Sequence, residues 1–288
     1  MKEKSYHQPP FVIPDKEKVW NRIQMHIHQS IKQIPLYSRV HMIRVATVAA
    51  LFAFLAGTAI TWGILHYQAL PPESQALVVS TPPGQKTTLT LPDGTQVWLN
   101  SESHIHYPSD FNAGRRIVQL EGEAFFEVTK SAGMPFIVET KAVNVKVHGT
   151  SFNVKAYKED INTTVALKEG KVSLLSAVTN NFIAALKPNE IAIIDKYNSY
   201  EILPCDAESE SIWRHNKLHF ENLPAQEVWK KLERWYGVYI NVENEKPEQT
   251  YRFTIKTETL TELLVLINKL TPIDYRLNGE EVNIRYKQ

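Results

Sequence analysis

The feature that most constrains this chain is an uncharged apolar stretch at residues 45–65. It reads VATVAALFAFLAGTAITWGIL, with no charged side chain in 21 residues. A helix rises about 1.5 Å per residue, so this stretch would span roughly 30 Å, the thickness of a bilayer's hydrocarbon core. Trp62 and Tyr67 suit an interface at one end, and Pro71 and Pro72 follow. A cleaved signal peptide would be shorter and nearer the N-terminus. We therefore expect a single transmembrane helix.

Charge predicts how this helix is oriented. Residues 1–44 contain eight Lys or Arg and three Asp or Glu, whereas the part after the span contains 24 basic and 28 acidic residues. Arg39 and Arg44 lie next to the span, and residues 66–77 contain no Lys or Arg. The positive-inside rule therefore predicts a cytoplasmic N-terminus and about 220 residues outside. The near-neutral total charge argues against direct nucleic-acid binding.

The segment before the span predicts one amphipathic helix of about twenty residues, with Asp15 as its N-cap and Pro35 as its end. Its apolar residues recur at steps of three and four: Val19, Trp20, Ile23, Ile27, Ile31 and Ile34. A lone helix cannot bury such a stripe. It would lie on the membrane surface, pair with itself, or dock on another protein, and the residues leave these alternatives open. Within the span, Ala53-x-x-x-Gly57 is a small-xxx-small pair that could support dimerisation, although small residues are common in any span.

Residues 86–198 read as an all-β domain. Short β-rich segments alternate with turn residues such as Pro92-Asp93-Gly94, Glu121-Gly122 and Glu169-Gly170, and no ten-residue helical pattern interrupts them. Eleven strands are predicted, at 88–91, 96–99, 105–107, 117–120, 124–128, 136–139, 144–147, 152–157, 163–167, 171–175 and 190–194. An antiparallel sandwich, roll or β-helix-like stack fits this pattern.

The last seventy residues predict a different, α+β domain. Helices at 224–236 and 259–270 alternate with strands, Gly237 stops the first helix, and Thr259-x-x-Glu262 is a capping box for the second. We interpret the order as a βαββαβ two-layer domain, one sheet covered by two helices. Its open edges could accept a partner strand, and the predicted docking residues are Val238, Ile240, Val242, Tyr251 and Phe253.

The whole chain is thus mainly β with α+β. The expected segments are 1–42 (cytoplasmic), 43–67 (transmembrane), 68–85 (linker), 86–198 (all-β), 199–216 (hinge) and 217–288 (βαββαβ).

The sequence contains no constellation typical of an enzyme. Nucleophile-elbow, zinc-protease, P-loop and dinucleotide motifs are all missing, so we expect no catalytic residue, cofactor or metal. Cys205 is the single cysteine, which excludes an intrachain disulfide. Gly149-Thr150 is the one dipeptide with a chemical alternative. A strained bond there could allow the threonine hydroxyl to attack the preceding carbonyl and cleave the chain, although a simple turn is the more economical interpretation.

Four phrases carry a family resemblance: LPDGTQVWLNSESHIHYPSDF (91–111), VQLEGEAFFEVTK (118–130), PFIVET (135–140) and VHGTSFNVKAY (147–157). Together they resemble the periplasmic domain of FecR-type anti-sigma factors. LHFENLPAQEVWKKLERWYGVYI (218–240) is similar to the domain that ends these proteins in Bacteroidota, which has the fold of the short secretin/TonB N-terminal domain. The resemblance covers about 200 residues, in the family's order.

The resemblance implies a single-pass regulator of the inner membrane with periplasmic C-terminal domains. Such a protein holds an extracytoplasmic-function sigma factor through its N-terminal segment. It receives a signal from the N-terminal domain of a TonB-dependent outer-membrane transporter. Some relatives are cleaved at a Gly-Thr bond that Gly149-Thr150 matches. The segment before the span holds one clear helix, so we expect the stripe at 19–34 to carry the contact with the sigma factor. The five predicted contact residues are Val19, Trp20, Ile23, Ile27 and Ile31. The alternative is a membrane-anchored module that binds a glycan or envelope component, with Trp98, Tyr107, Phe125 and Tyr157 as an aromatic platform.

Overall fold

The computed structural model describes residues 15–30, 36–68, 76–111, 114–197, 199–245 and 248–287. These residues form two compact units, which comprise residues 1–72 and 73–288. The first unit holds helices α1 (Lys16–Ser30) and α2 (Leu36–Gln68). The second holds all the strands and three short helices.

Helix α1 begins where the sequence predicts. The Asp15 carboxylate accepts a hydrogen bond from the Glu17 N–H at 3.2 Å, as an N-cap does, and the Asp15 carbonyl accepts the first intrahelical bond, from Val19 N–H at 3.1 Å. The helix ends at Ser30. The predicted contact residue Ile31, like Ile34, lies outside the described residues.

Helix α2 is long and apolar enough to cross a membrane. Its stretch Arg39–Ile64 has 26 residues and a mean hydropathy of 2.0, and none of that stretch is buried in the protein, unlike the core helix of a soluble domain. The hydroxyls of Thr47, Thr58 and Thr61 donate to carbonyls of the preceding turn at 2.7–2.9 Å. These three hydroxyls are therefore satisfied within the helix, as hydrocarbon requires.

The described residues of the all-β part of the second unit form thirteen strands. Their bounds are β1 (Ala76–Ser80), β2 (Thr87–Thr90), β3 (Gln96–Leu99), β4 (His104–Pro108), β5 (Arg116–Glu127), β6 (Phe136–Glu139), β7 (Val143–Val147), β8 (Ser151–Ala156), β9 (Asn162–Glu169), β10 (Val172–Ser176), β11 (Phe182–Leu186), β12 (Glu190–Asp195) and β13 (Tyr200–Pro204). The sheet runs β11-β10-β7-β6-β5-β8-β9-β12-β13, and the pairs β1-β4 and β2-β3 join it at β5. This confirms the predicted all-β class, but β5 and β6 pair in parallel where antiparallel pairing alone was expected.

Strand β5 organises this sheet. Its first half pairs with β4 and β6, and its second half pairs with β3 and β8. It bends at Gly122, which has a φ of +111°. A Cβ at Gly122 would lie 2.6 Å from the Ser103 Cα, so only glycine fits. The turn predicted at Glu121-Gly122 is thus a bend within one strand.

The two halves of the sheet enclose one apolar core. Phe126 stacks on Phe152 with ring centroids 5.2 Å apart, and Phe136 packs against Phe126 at 5.9 Å. All three rings are fully buried, as are Val97 and Leu167. The alternation of these residues with exposed ones along each strand explains why the sequence predicts most of the strands.

Three strands lie where the sequence predicts none. Strand β1 lies within the expected linker, β13 within the expected hinge, and β11 between two predicted strands. Strands β1 and β13 are exposed at nearly every position, so they lack the alternating burial that marks a strand in sequence. The rest of the expected hinge is also structured. It contains helix α3 (Ala207–Glu210) and a 3₁₀ turn (Ile212–His215) with Trp213 buried.

The C-terminal part contains seven elements: β14 (Leu218–Pro224), α4 (Ala225–Tyr236), β15 (Tyr239–Glu243), β16 (Thr250–Ile255), α5 (Leu260–Leu270), β17 (Ile273–Asn278) and β18 (Glu281–Tyr286). The capping box at Thr259 and Glu262 is present, and Gly237 ends α4 in the left-handed region. The α+β class is confirmed, but the strands form two small sheets, β14-β16 and β15-β18-β17, where one was expected. Strands β15 and β16 separate because β15 pairs in parallel with β18, whereas β16 pairs with β14.

Candidate partner-binding sites

The candidate cytoplasmic site is the apolar face of α1. Val19, Ile23 and Ile27 follow at intervals of four residues, and Trp20 lies beside them. All four side chains are exposed, Trp20 to 61%. Large exposed apolar side chains that share a helix face are typical of a protein or membrane contact. The structure thus brings four of the five predicted residues to one open face, and the binding itself stays a prediction.

The candidate C-terminal site is the pair of strands β15 and β16. Each is the terminal strand of its sheet in the described part of the chain. The predicted side chains, however, face inward: Ile240 and Tyr251 are buried, and Val238, Val242 and Phe253 pack against the same core. The residues that project outward are their neighbours, such as Tyr239 on β15, which is 67% exposed. The predicted strands are edges, but the predicted residues are core.

The inward orientation follows from the chemistry of these side chains. The ring centroids of Phe253 and Phe220 are 4.7 Å apart, and the hydroxyl oxygens of Tyr251 and Tyr286 are 3.2 Å apart. Trp229 Nε1–H donates to the Tyr286 hydroxyl at 3.0 Å. Burial, with the Tyr251 hydrogen bond, raises the pKa of Tyr286. The alternation of apolar and polar residues along β15 and β16 was the sequence signal for this orientation.

The Gly149-Thr150 dipeptide forms a tight turn between β7 and β8. Gly149 has a φ of +151°, and a Cβ there would lie 2.8 Å from the Lys130 Cα. The Thr150 hydroxyl is nearly buried and donates to the Lys171 carbonyl at 3.0 Å. A carbonyl cannot take up the proton that nucleophilic attack by Thr150 would release. The positive φ and the lack of room for a Cβ therefore explain why glycine stands at position 149. Cleavage stays a prediction.

The aromatic platform of the alternative interpretation is largely covered. Phe125 and Tyr157 are buried, and Trp98 and Tyr107 are half-buried. The Arg214 guanidinium lies over Phe125 at 3.6 Å and over Trp98 at 5.3 Å. The Trp98 and Phe125 rings thus pack against the 3₁₀ turn, whereas Tyr157 lies under Arg234 and Tyr107 packs on Phe111.

An ionic contact joins the C-terminal part to the β domain within the second unit. Arg234 on α4 donates two hydrogen bonds to the Asp160 carboxylate, at 2.7 and 3.1 Å, and Lys155 lies 3.2 Å from the same group. Burial opposes ionisation of Asp160, but the bonds from Arg234 and the charge of Lys155 outweigh it and lower the pKa of this carboxyl. We call Arg234, Asp160 and Lys155 the clamp.

Other titratable groups in the described residues do not form a site. No group of three His, Cys, Asp or Glu side chains is placed to hold a metal ion in this part of the chain. His215 lies 3.7 Å from Glu208, and His219 lies 3.3 Å from Glu221. Burial, together with nearby acids, raises the pKa of the Cys205 thiol to about 11, which opposes thiolate reactivity.

These features define a class of protein: one apolar helix fit to span a membrane, joined to a β domain and a small α/β domain. Two family descriptions match in that order, "FecR protein" at residues 78–173 and "FecR, C-terminal" at residues 217–284. The chain belongs to the FecR family.

A solved relative supports the same assignment. Two crystal structures, at 1.65 and 2.50 Å resolution, show a candidate anti-sigma factor from Parabacteroides distasonis ATCC 8503. Each matches this chain with 33% identity and a TM-score of 0.67, over 74% of this chain and 100% of the other. Among curated proteins, none matches the chain.

Proposed function

We propose that this protein is a single-pass anti-sigma factor of the bacterial inner membrane, a regulator and not an enzyme. Its N-terminal helix α1 binds an extracytoplasmic-function sigma factor in the cytoplasm. Its second unit lies in the periplasm and receives a signal from the N-terminal domain of a TonB-dependent outer-membrane transporter. Family membership and the anti-sigma description of the solved relative support this assignment.

The observation that carries the proposal is the exposed apolar face of α1. Val19, Trp20, Ile23 and Ile27 are all exposed on a helix that precedes the membrane-spanning stretch. An amphipathic helix of this kind lays its apolar side chains into a groove of a partner. The basic residues next to the span, Arg39 and Arg44, favour a cytoplasmic location for α1.

The periplasmic contact is proposed for the open edges of the C-terminal sheets. An edge strand presents unpaired backbone groups that another strand can extend. Strand β15 is the stronger candidate, because it exposes the large aromatic side chain of Tyr239 beside Asn241 and Glu243, whereas β16 exposes only Thr250, Arg252 and Thr254. The contact would then use the backbone of β15 and these outward residues, whereas Ile240 and Val242 support the strand from inside.

Co-purification from bacterial membranes tests the proposal. The intact protein is compared with a version that lacks residues 1–40, and bound proteins are identified by mass spectrometry. We expect a sigma factor with the intact protein alone. Equal recovery of a sigma factor with both versions would contradict the role of α1, and recovery with neither would contradict the anti-sigma assignment.

One observation favours a second candidate function, a membrane-anchored binder of an envelope component. A cavity of about 740 Å³ lies at one end of the β domain, within the size range of small-molecule sites. Leu120, Ala142 and Val178 are among its apolar lining residues. Its charged lining has both signs: Lys141, Lys158 and Lys196, and Glu121, Glu159, Asp160 and Asp195. Capture of envelope polymers by the second unit, without a sigma factor on α1, would favour this function.

A further inference from the structure

The last turn of α4, residues 233–237, contacts three different parts of the second unit. We propose that this turn couples the docking edge of β15 to the β domain, with Glu233 occupying the position that an added strand would take. The inference rests on the proposed function, in which a partner strand extends the sheet at β15. Three sets of contacts support it.

The first contact occupies one backbone N–H group on the outer edge of β15. The Tyr239 N–H faces β18 and donates to the Glu280 carbonyl at 2.8 Å. Successive N–H groups of a strand point to opposite sides, so the Ile240 N–H points to the open edge. There it donates to the Glu233 carboxylate at 2.7 Å. An added strand would offer a backbone carbonyl to this same N–H, so it must displace the Glu233 side chain.

The second contact is the clamp, which begins at the next residue. Arg234 binds Asp160 through both terminal nitrogens, and its guanidinium lies 3.7 Å from the centre of the Tyr157 ring. The side chains of Arg234 and Asp160 are 13% and 9% exposed. Bidentate pairs of this kind are geometrically specific and among the stronger hydrogen bonds. The clamp therefore fixes the last turn of α4 against the β domain.

The third contact reaches the segment between β1 and β2. The Gly84 N–H donates to the Arg234 carbonyl at 3.2 Å. A Cβ on Gly84 would lie 3.2 Å from the Gly237 nitrogen, so the two backbones touch. Lys86 lies over the Trp235 ring at 3.5 Å, and burial, opposed by the charge of Glu123, lowers the pKa of Lys86 to about 8. In sequence, this segment follows α2 closely.

These contacts link the hydrogen bond between Glu233 and Ile240 at the edge of β15 to the position of Arg234 in the clamp. Release of Glu233 from Ile240 frees the turn that carries Arg234, and thereby loosens the hydrogen bond to Gly84. Because coupling is reciprocal in free energy, loosening of the clamp also frees the β15 edge. A strand docked at β15 would in this way change the segment that leads toward the membrane helix.

Amide hydrogen exchange on the full chain in lipid nanodiscs tests the coupling without a partner. Glu233→Ala is expected to speed exchange about tenfold at Ile240, because one charge-assisted hydrogen bond is lost. At Gly84 the same variant is expected to speed exchange severalfold. Asp160→Asn is expected to speed exchange at both amides. Glu227→Ala, at the other end of α4, is the matched control and is expected to leave both amides unchanged.

Each contrary result overturns a defined part. An unchanged exchange rate at Ile240 in Glu233→Ala would contradict the claim that Glu233 protects the edge of β15. Faster exchange at Ile240 with unchanged exchange at Gly84 would contradict the coupling. Glu227→Ala would contradict it too if it accelerated exchange at both amides as much as Glu233→Ala does. Glu233→Gln, which keeps an acceptor oxygen, is expected to give a smaller effect and provides a folded variant. Because no partner is used, failure here is distinct from failure of the proposed function, which co-purification measures.

Discussion

At the scale of single residues, a buried ion pair in the β domain has the strictest structural requirement, because each charge needs its partner. Arg116 and Asp93 are in contact at 3.1 Å, and their side chains are only 2% and 4% exposed. Arg116 also donates to the carbonyls of Thr129, at 2.9 Å, and Met134. The pair thus joins the turn after β2 to the start of β5. A buried charge without its partner is strongly unfavourable.

Arg116→Met therefore leaves the buried Asp93 carboxylate without its charge partner, with only the hydrogen bonds that Thr95 donates. We expect a loss of about 3–5 kcal/mol in the free energy of unfolding of residues 73–288, measured by urea denaturation. The neighbouring Arg115 is exposed, so Arg115→Met is the matched control and should change stability by less than about 0.5 kcal/mol. Similar losses in the two variants would refute a special role of the buried pair.

The clamp gives a pH-dependent prediction. The pKa of Asp160 is lowered in the folded protein, so its ionised form stabilises folding above the ordinary carboxyl pKa of about 4. This contribution is lost as pH falls through the lowered pKa. The stability difference between wild type and Asp160→Asn should be constant from about pH 5 to 7 and shrink below about pH 4. Denaturation at a series of pH values measures it, and a difference that persists to pH 2 would contradict the assignment.

At the scale of elements, strand β5 shows how one residue permits an architecture. Its bend at Gly122 lets the strand pair with β4 and β6 in one half and with β3 and β8 in the other. The backbone there is left-handed, and Ser103 fills the space of a side chain. No other residue meets both conditions.

Gly122→Ala should therefore destabilise the second unit by more than about 2 kcal/mol, from backbone strain and overpacking together. Gly133 is the control, because a Cβ there meets no atom within 4 Å and its φ is not positive. Thermal unfolding of Gly122→Ala and Gly133→Ala compares them. Equal melting temperatures would show that β5 tolerates a side chain at its bend.

The success of sequence-based prediction also varies by element. The capping box at Thr259 and the αL stop at Gly237 are local signals, so they predict helix α5 and the end of α4 correctly. Strand β13 has no buried face and carries no periodic signal. The orientation of β15 can be predicted from the alternation of apolar and polar residues along it. The ion pair of Arg234 with Asp160 cannot be predicted in this way. Those two residues are 74 positions apart and meet only because the two domains pack.

At the scale of the whole molecule, the proposed function requires a cytoplasmic α1 and a periplasmic second unit. Protease added to spheroplasts should digest residues beyond α2 and leave a tag before α1 intact. The asymmetry of basic residues around the span is the physical reason. A tag that is digested in intact spheroplasts would reverse the orientation and remove the basis for sigma-factor binding.

Quantitative sigma-factor binding by variants of α1 tests the proposed anti-sigma role most directly. Trp20→Ala with Ile27→Asp places a smaller side chain and a charge on the exposed apolar face, whereas Met25→Ala alters an exposed residue on the opposite face. We predict that the double variant loses at least about tenfold in sigma-factor recovery from membranes, and that Met25→Ala binds as wild type does. Full binding by the double variant would contradict the account.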